Sequence, residues 1–461
     1  MVFSSLIFLF AYLTVTLALY YVVPLKWRNL VLFVLSLVFY GWGEPRFIAL
    51  MLLSILSAYG FGFGIERNRE QKPARAKLFL GISVGINLSF LLFFKYFNFF
   101  AETVGANPIQ GLTLPVGISF YTFQIMSYSI DLYRGQVPLA KKFVPFGTYV
   151  TLFPQLIAGP IVRYQDVCDQ LRQRKETLSK FSSGVTRFVL GLGKKLILGD
   201  AAAALAERLQ TSGEFSPTVL GAWLIVLCYS FHIYFDFSGY SDMAIGLGRM
   251  FGFEFVENFN YPYIARSVSD FWRRWHITLS TWFREYVYIP LGGNRVGKLR
   301  GFFNLAVVWF LTGFWHGADW NYMIWGLYFW LFLVLEKAFL GKLLDKHRLL
   351  SHVYALLVIG LGWLIFFYND LGALAATAGH LVGRNAALAD GTAAYVLLRA
   401  LPLLLVCALG CTPLPKHCLE KLKERLPFVQ AVLPVGTLLL FLLCVAYMVD
   451  NSFSPFLYYI F

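Results

Sequence analysis

Long apolar runs separated by short polar or basic loops extend over most of the chain. Several of these runs reach the roughly 20 apolar residues that an α-helix needs to cross a bilayer, so helices are favoured over short barrel strands. The pattern predicts an all-α, polytopic membrane protein with roughly ten or eleven transmembrane helices. After the first spans, the later ones are predicted at approximately residues 188–205, 218–237, 302–315, 322–335, 353–368, 393–409 and 429–449.

Composition supports the same fold class. Of the 461 residues, 58% are hydrophobic, 18% are aromatic and only 14% are charged, far from the balance of a soluble domain. The first apolar run, residues 3–23, has no Lys or Arg before it and no small-residue cleavage site after it. We therefore expect a retained span there and not a signal peptide. A single helical membrane domain is predicted for residues 1–461.

The basic residues indicate how the helices are oriented. The formal net charge is +14, but the lysines and arginines cluster in alternate loops, which the positive-inside rule explains without a nucleic-acid partner. We assign the loop with Lys26 and Arg28 to the cytoplasm. The other basic loops that then fall on the same side include 67–77, 134–142, 266–300, 337–348 and 416–425. The N-terminus and the tail 450–461 are accordingly predicted on the outer side.

One apolar segment, residues 146–162, does not fit a simple span. Basic residues flank it on both sides, and it contains Pro154, Gly159 and Pro160. Broken backbone at membrane depth is tolerated only where protein or a wet cavity surrounds it, so we predict a re-entrant element beside a cavity. The motif at 114–117, Leu-Pro-Val-Gly, indicates a similar irregularity before the preceding span.

Residues 269–295 combine tryptophans with arginines, and Ser269 is predicted to cap a helix. On one helix the aromatic residues share a broad apolar face, and the arginines that fall elsewhere are Arg273, Arg274 and Arg284. One hypothesis is an interfacial amphipathic helix anchored by its tryptophans. A second, compatible hypothesis adds a cationic mouth beside His276 that binds the phosphates of a donor molecule.

Two carboxylates, Asp236 and Asp242, lie at the end of an apolar segment. One hypothesis is that they cap a helix or pair with nearby arginines. The alternative is that they order a histidine or a basic lid over a cavity. Their spacing does not resemble a metal-binding set, and no metal is predicted.

His316 lies in a stretch, residues 301–335, in which the only formally charged residue is Asp319. An ionisable group at membrane depth is costly, so it is a functional-site hypothesis by default. One alternative is a buried, hydrogen-bonded structural imidazole. The other is a general base, because desolvation keeps an imidazole neutral and able to accept a proton from a hydroxyl group. The chain has neither a Walker A loop nor a Gly-x-Ser-x-Gly elbow.

These motifs together resemble the membrane-bound O-acyltransferase family, and specifically its bacterial alginate O-acetyltransferase branch. The resemblance covers nearly the whole chain, and the order and spacing of the motifs make it specific. The segments that carry it are 1–5, 114–121, 152–161, 234–246, 270–295, 314–317 and 454–459.

The resemblance implies a helical core around a central tunnel, with N-terminal helices at 1–110, a catalytic core at 111–340 and C-terminal helices at 341–461. The family's invariant histidine corresponds to His316 and its second, more polar position to His276. The residues expected to contact the donor are Arg273, Arg274, Arg284 and Trp272. The residues expected to support the site are Asp236, Asp242 and Asn321.

The resemblance further implies acetyl-CoA as a cytosolic donor and a hydroxyl acceptor on the periplasmic side of the bacterial inner membrane. The acceptor is a sugar or a serine of a partner, such as a periplasmic SGNH-type acetyltransferase, and a transient acyl-histidine is an open alternative. Because His316 lies 16 residues beyond Arg300, a helix would place it about 24 Å toward the outer leaflet. The segment with His276 is expected on the inner side.

Other functions remain open at this point. Within the family, the alternatives are D-alanyl transfer to teichoic acid and acetylation of peptidoglycan or cellulose. A different class is a proton-coupled transporter or exporter, in which His316 and buried carboxylates form a relay. A third is a scaffold that recruits a soluble transferase.

Overall fold

The structure, a computed structural model, describes residues 1–211 and 217–450. The closing motif at 454–459 and most of the tail lie outside the described residues. The first ten α-helices are α1 (Thr14–Val22), α2 (Arg28–Gly43), α3 (Ile48–Asn68), α4 (Pro73–Thr103), α5 (Ile118–Tyr133), α6 (Phe143–Thr151), α7 (Phe153–Leu156), α8 (Tyr164–Arg172), α9 (Leu178–Gly193) and α10 (Asp200–Thr211). The remainder are α11 (Val219–Met250), α12 (Val268–Arg274), α13 (Ile277–Phe283), α14 (Lys298–His316), α15 (Trp320–Leu335), α16 (Gly341–Leu344), α17 (Arg348–Phe367), α18 (Leu371–Leu381), α19 (Gly391–Gly410), α20 (Leu414–Arg425) and α21 (Phe428–Asp450).

The fold class predicted from the apolar pattern is confirmed, because every regular element in the described residues is a helix. Several helices continue through a π-helical turn, and Trp320–Leu344 is one continuous segment. Seven helices in the described ranges are long and apolar enough to cross a bilayer: Pro45–Asn68, Pro73–Thr103, Val219–Met250, Trp320–Leu344, Arg348–Phe367, Gly391–Gly410 and Phe428–Asp450. The protein is a multi-pass membrane protein, and the count of ten or eleven spans stays a prediction.

Contacts divide the chain into two compact units. One contains Met1–Leu190, Tyr240–Glu257 and the chain from Met448, and the other contains Gly191–Gly239 and Asn258–Tyr447. The second unit holds the residues around both histidines.

In the first unit, the interruption predicted at residues 146–162 is confirmed. Helices α6 and α7 have only nine and four residues, and every residue from 146 to 162 is buried. Helix α5 begins after Gly117, whose φ of 75° is left-handed, and a Cβ there would lie 2.7 Å from the Leu156 carbonyl oxygen. Glycine is therefore required where the irregular 114–117 motif meets α7.

Helix α11 is longer than the span predicted at 218–237, since it continues to Met250 without a break. The small and polar residues after Phe237 resemble a loop in sequence. In the structure they permit close helix packing, because a Cβ on Gly246 would lie 2.6 Å from the Gly184 carbonyl oxygen of α9. Close packing of the backbones takes the place of apolar side chains in this part of the helix.

In the second unit, α14 and α15 form a tightly packed antiparallel pair. A Cβ on Gly313 would collide with the Tyr322 carbonyl, and a Cβ on Gly326 would collide with the Trp309 carbonyl. At the other end of the pair, the Trp330 indole donates to the Phe302 carbonyl at 3.0 Å. The first turn of α14 and the last turn of α15 therefore lie side by side, and His316 lies at the opposite end.

Candidate active site

His316 is the last residue of α14, which is helical without a break from Lys298, so the helical run predicted between Arg300 and His316 is confirmed. The imidazole is only 3% exposed. Three aromatic rings contact it edge-on, with centroids 5.0 Å away for Trp315, 5.1 Å for Trp325 and 5.3 Å for Phe366. The ring is thus fixed in orientation by packing and removed from bulk water.

The predicted single helix at 269–295 is in fact two short helices, α12 and α13, separated at Trp275 and His276. His276 has φ 44° and ψ 54°, the left-handed region that costs a non-glycine residue about 1–2 kcal/mol. Strain of this kind persists only where the surroundings hold it, and it clusters at functional sites. The chain reverses direction at His276, between α12 and α13.

The predicted helix cap is also different. Ser267, not Ser269, accepts a hydrogen bond from the Asp270 amide at 2.9 Å and caps α12. Ser269 instead donates through its amide and its hydroxyl to the Glu336 carboxylate, at 2.9 and 2.7 Å. The Val268 amide donates to the other oxygen of Glu336 at 2.6 Å. A carboxylate from another helix therefore neutralises the positive end of α12, which no local pattern predicts.

His276 is 1% exposed. Its Nδ1 lies 3.2 Å from the Asn258 side-chain oxygen, and the Phe237 ring packs against it with centroids 4.7 Å apart. Burial lowers the pKa of His276 to about 3. The imidazole is therefore neutral at physiological pH.

Trp315 joins the two histidines. Its ring centroid lies 6.1 Å from that of His276 and 5.0 Å from that of His316, both in edge-on geometry. The two imidazoles therefore belong to one buried aromatic site. On which side of the membrane the segment with His276 lies stays a prediction, but the structure brings His276 close to His316.

The physical reason is the path of the chain between Val268 and Leu291. Its first residues bind Glu336 near the end of α15, and the Leu291 carbonyl accepts from Asn304 near the start of α14 at 3.1 Å. Its turning point, His276, lies instead beside Trp315 at the other end of α14. The segment forms a hairpin that inserts along the α14–α15 pair and carries His276 at its tip.

The arginines predicted to form a cationic mouth are in different settings. Arg274 pairs with Asp270 at 3.0 Å, and Arg284 pairs with Glu285 at 2.8 Å. Arg273 is exposed. Two of the three positive charges are therefore balanced by a neighbouring carboxylate, which reduces the attraction for phosphate groups.

Trp272, grouped with these arginines from the sequence, is buried in an aromatic cluster. Its ring lies 4.8 Å from Trp309, 4.9 Å from Phe329 and 5.5 Å from Trp325. Since Trp325 also contacts His316, Trp272 supports the wall of the site. It packs against protein and does not face the solvent.

The predicted supporting residues have separate roles. Asp236 is buried 3.5 Å from the Lys195 ammonium group, which also binds Asp200 at 2.6 Å. Asp242 pairs with Arg187 at 2.8 Å, as the first hypothesis for the carboxylates predicts.

Asn321 contacts a residue of the aromatic site, and its supporting role stays a prediction. It is fully buried, and its amide donates to the Ile365 and Phe366 carbonyls at 3.4 Å and to the Asn369 side chain at 3.2 Å. Phe366 is one of the rings against His316. Asn321 thus ties the start of α15 to the end of α17 and fixes one wall of the site.

Three residues around these sites have no role in the sequence-based predictions: Asn258, Glu336 and Lys195. Asn258 lies in a short polar loop, and Glu336 lies beside a basic loop in which an acidic residue is expected. Neither position therefore carries a sequence signal for a role in the site. Lys195 could have been found from the sequence, because a lysine inside a predicted span indicates a functional or structural role.

No group of three His, Cys, Asp or Glu side chains within residues 1–211 and 217–450 is arranged to hold a metal ion.

Comparison with known proteins identifies the family. Residues 140–368, which include both histidines, match the model of the membrane-bound O-acyltransferase family. A probable alginate O-acetylase of Pseudomonas putida is 44% identical over 383 residues, which cover 80% of this chain and 78% of the relative. A probable alginate O-acetylase of Azotobacter vinelandii is 43% identical over 381 residues, covering 80% and 76%.

Relatives that act on other polymers match as well. A peptidoglycan O-acetyltransferase of Helicobacter pylori is 34% identical over 426 residues, which cover 84% of this chain and 80% of the relative. Similarity at this level along most of the chain, together with the family match, cannot come from hydrophobic composition alone. The chain therefore belongs to the membrane-bound O-acyltransferase family and is an acyltransferase.

Proposed function

We propose that the protein is an O-acetyltransferase that takes acetyl groups from cytosolic acetyl-CoA and serves the O-acetylation of an exopolysaccharide such as alginate, together with a periplasmic partner. The observation that carries this proposal is the convergence of His276 and His316 on Trp315 inside one buried site. The names of the relatives support the choice of acetyl group and polymer.

In the proposed reaction, His316 is the general base. The neutral imidazole accepts the proton of the acceptor hydroxyl while the hydroxyl oxygen attacks the thioester carbonyl carbon. The tetrahedral intermediate collapses, the carbon–sulfur bond breaks, and the thiolate leaves with the proton that His316 had taken. The products are an acetyl ester and free CoA, so atoms and charge balance.

Burial of His316 supports this role. An imidazole at 3% exposure, enclosed by three aromatic rings, is disfavoured as a cation. The same enclosure keeps bulk water away from the thioester, which favours transfer over hydrolysis.

The donor is proposed to approach from the cytoplasmic side, where the basic loops are assigned. Its phosphates are proposed to contact Arg273, with Arg274 and Arg284 available only by exchange of their carboxylate partners. Replacing Arg273 and Arg274 together by Ala should raise the KM for acetyl-CoA, and an unchanged KM would refute the donor assignment.

The direct test is the ester-linked acetate on each envelope polymer in cells that lack the gene and in cells complemented with variants. We expect wild-type protein to restore acetate on one exopolysaccharide and His316→Ala to reduce it by about 10²- to 10⁴-fold. His380→Ala is the matched control, because His380 is a half-buried histidine on α18 and none of the three rings against His316 belongs to that helix. Full acetylation with His316→Ala at normal protein level would refute the role of His316.

Peptidoglycan is the second candidate acceptor, because the Helicobacter pylori relative covers more of the chain, although at lower identity. Acetate restored on peptidoglycan alone would favour it over the exopolysaccharide. A transporter would instead leave acetyl-CoA unused by the purified protein, whereas a transferase consumes it and releases free CoA.

A further inference from the structure

Asn258 contacts the tip of the inserted hairpin and is 1% exposed. Its side-chain oxygen lies 3.2 Å from His276 Nδ1 and accepts hydrogen bonds from the Thr278 amide at 3.2 Å and the Thr278 hydroxyl at 2.9 Å. Its backbone carbonyl accepts from the Ile277 amide at 3.0 Å. One residue outside the hairpin therefore holds three consecutive residues at its tip.

These contacts fix the proton on His276. A backbone amide can only donate, so the Asn258 atom that faces the Thr278 amide must be the oxygen and not the nitrogen. An amide oxygen cannot donate a hydrogen bond. In its contact with His276 the Asn258 oxygen therefore accepts, and the ring nitrogen Nδ1 donates. In the neutral ring, Nδ1 then carries the proton and Nε2 carries the lone pair.

We infer that Asn258 is a positioning residue, which holds His276 in its left-handed backbone conformation and in the tautomer whose Nε2 accepts a hydrogen bond. The inference deepens the proposed function. It assigns His276 the task of accepting a hydrogen bond from a hydroxyl or water in the site. It also excludes donation from Nε2 of the neutral ring to the oxyanion of the tetrahedral intermediate.

The first test reads the tautomer without using activity. The chain has seven histidines, and solid-state NMR of protein labelled with ¹⁵N-histidine in nanodiscs distinguishes protonated from lone-pair nitrogens. The difference between wild type and His276→Gln isolates the His276 signals. We expect a protonated Nδ1 and a lone-pair Nε2, and the opposite assignment would overturn the inference.

The second test uses kinetics. We expect Asn258→Ala to lower kcat about tenfold, the value of one hydrogen bond of about 1.4 kcal/mol, without changing the KM for acetyl-CoA. Thr278→Val is the matched control, because it removes one bond to the same oxygen and leaves the bond to His276. An unchanged kcat in Asn258→Ala, or equal losses in both variants, would contradict the positioning role.

Asn258→Asp keeps the acceptor oxygen and adds a negative charge beside the ring. The His276 ring contacts Asn258, Phe237 and Trp315, whose side chains do not titrate between pH 4 and 9, and the titratable His316 lies on the far side of Trp315. A new carboxylate favours the imidazolium form, so the acidic limb of the pH–kcat profile should move to higher pH. An unshifted pH–kcat profile in Asn258→Asp would contradict the contact between residue 258 and the His276 ring.

The outcomes separate this inference from the proposed function. If His276→Ala were fully active, the assignment of a catalytic role to His276 would be refuted. The NMR experiment would still decide which tautomer His276 adopts. If His276→Ala were inactive and Asn258→Ala were fully active, the positioning role alone would fail.

A second, independent observation concerns α20, the helix Leu414–Arg425 between the apolar helices α19 and α21. No residue of α20 is buried, and its leucines are 37–55% exposed. At about 100° per residue, its apolar side chains fall within an arc of about 140°, and most of its charged residues lie on the other side. That arc contains Leu414, Pro415, Cys418, Leu419 and Leu422.

We propose that α20 lies in the membrane surface and binds anionic lipid headgroups. Both neighbouring helices are long and apolar enough to span a bilayer, so the two ends of α20 are held at its surface. The helix carries four Lys or Arg residues against two Glu residues, and this charge complements anionic lipid. The apolar arc then meets the acyl-chain boundary.

A native cysteine reports on this surface. All six cysteines of the chain are in the described part, and Cys418, in the apolar arc, is the exposed one. A fluorescent maleimide on Cys418, with Cys418→Ser as the labelling control, is followed in nanodiscs of phosphatidylcholine with and without phosphatidylglycerol. We expect stronger quenching by doxyl-labelled lipid than by aqueous iodide, increased by phosphatidylglycerol.

Lys421→Glu with Lys423→Glu should abolish the response to phosphatidylglycerol. Quenching by iodide alone, or the same lipid response in the charge-reversed variant, would overturn the proposal. The acetylation assay serves as the check that the variants are folded.

Discussion

Gly313 offers a sharp test of how the candidate site is built. It lies one turn before His316 on α14, and a Cβ added there would overlap the Tyr322 carbonyl carbon and oxygen of α15. Backbone atoms cannot rotate away as a flexible side chain can, so the two helices must separate. Overpacking of this kind costs about 1–3 kcal/mol, and Gly313→Ala should fall at the upper end.

Gly301→Ala is the matched control, because Gly301 lies on the same helix and a Cβ there meets nothing within 4 Å. That change should stabilise α14 by about 0.5–1 kcal/mol, since alanine loses less conformational entropy than glycine. The two variants are compared by Tm in detergent and by acetyl transfer. We expect Gly313→Ala to unfold several degrees earlier and to lose most activity, because the shift moves His316. Equal Tm and activity in the two variants would refute the close-packing argument.

Three other substitutions test the supports of the site. Glu336→Ala should lower the free energy of unfolding by about 1–3 kcal/mol, because the amides at the start of α12 lose their acceptor, and Glu336→Gln should recover part of the loss in a thermal melt. Asn321→Ala should lower kcat more than it lowers Tm, since the wall formed by Phe366 shifts against His316, and loss of Tm alone would argue against this coupling. Lys195→Met should destabilise the fold by about 3–5 kcal/mol, because it removes the cation beside the buried Asp236 and the half-buried Asp200, and a normal Tm would show that these ion pairs do not stabilise the fold.

The sequence predicted the fold class because membrane helices are encoded locally. A run of about 20 apolar residues satisfies its own backbone hydrogen bonds and can be recognised without knowing what it packs against. Helix α14 shows how far such a pattern carries, since an apolar helix was predicted at 302–315 and the structure has one at Lys298–His316. The interruption at 146–162 was also visible, because proline and glycine act on their own residues.

The segment around His276 shows where local patterns fail. The tryptophans and arginines indicate an amphipathic helix, and nothing in that pattern reveals a left-handed residue in its middle. The break exists because Asn258, which is 18 residues away, binds the turning point, and because Glu336, which is 67 residues from Ser269, binds the start of α12. The ion pairs of Arg274 and Arg284 are a different case, because their partners Asp270 and Glu285 are close in sequence and this local signal was available.

By itself, the sequence determined that this is a helical membrane protein, that it resembles the O-acyltransferases, and that His316 is an ionisable group in an apolar span. Each of these follows from properties that residues carry along the chain. Only the tertiary structure decided that His276 and His316 share one site, because that depends on a hairpin held by contacts distant in sequence. The backbone conformation and tautomer of His276 depend on the same long-range hydrogen bonds, which no local pattern encodes.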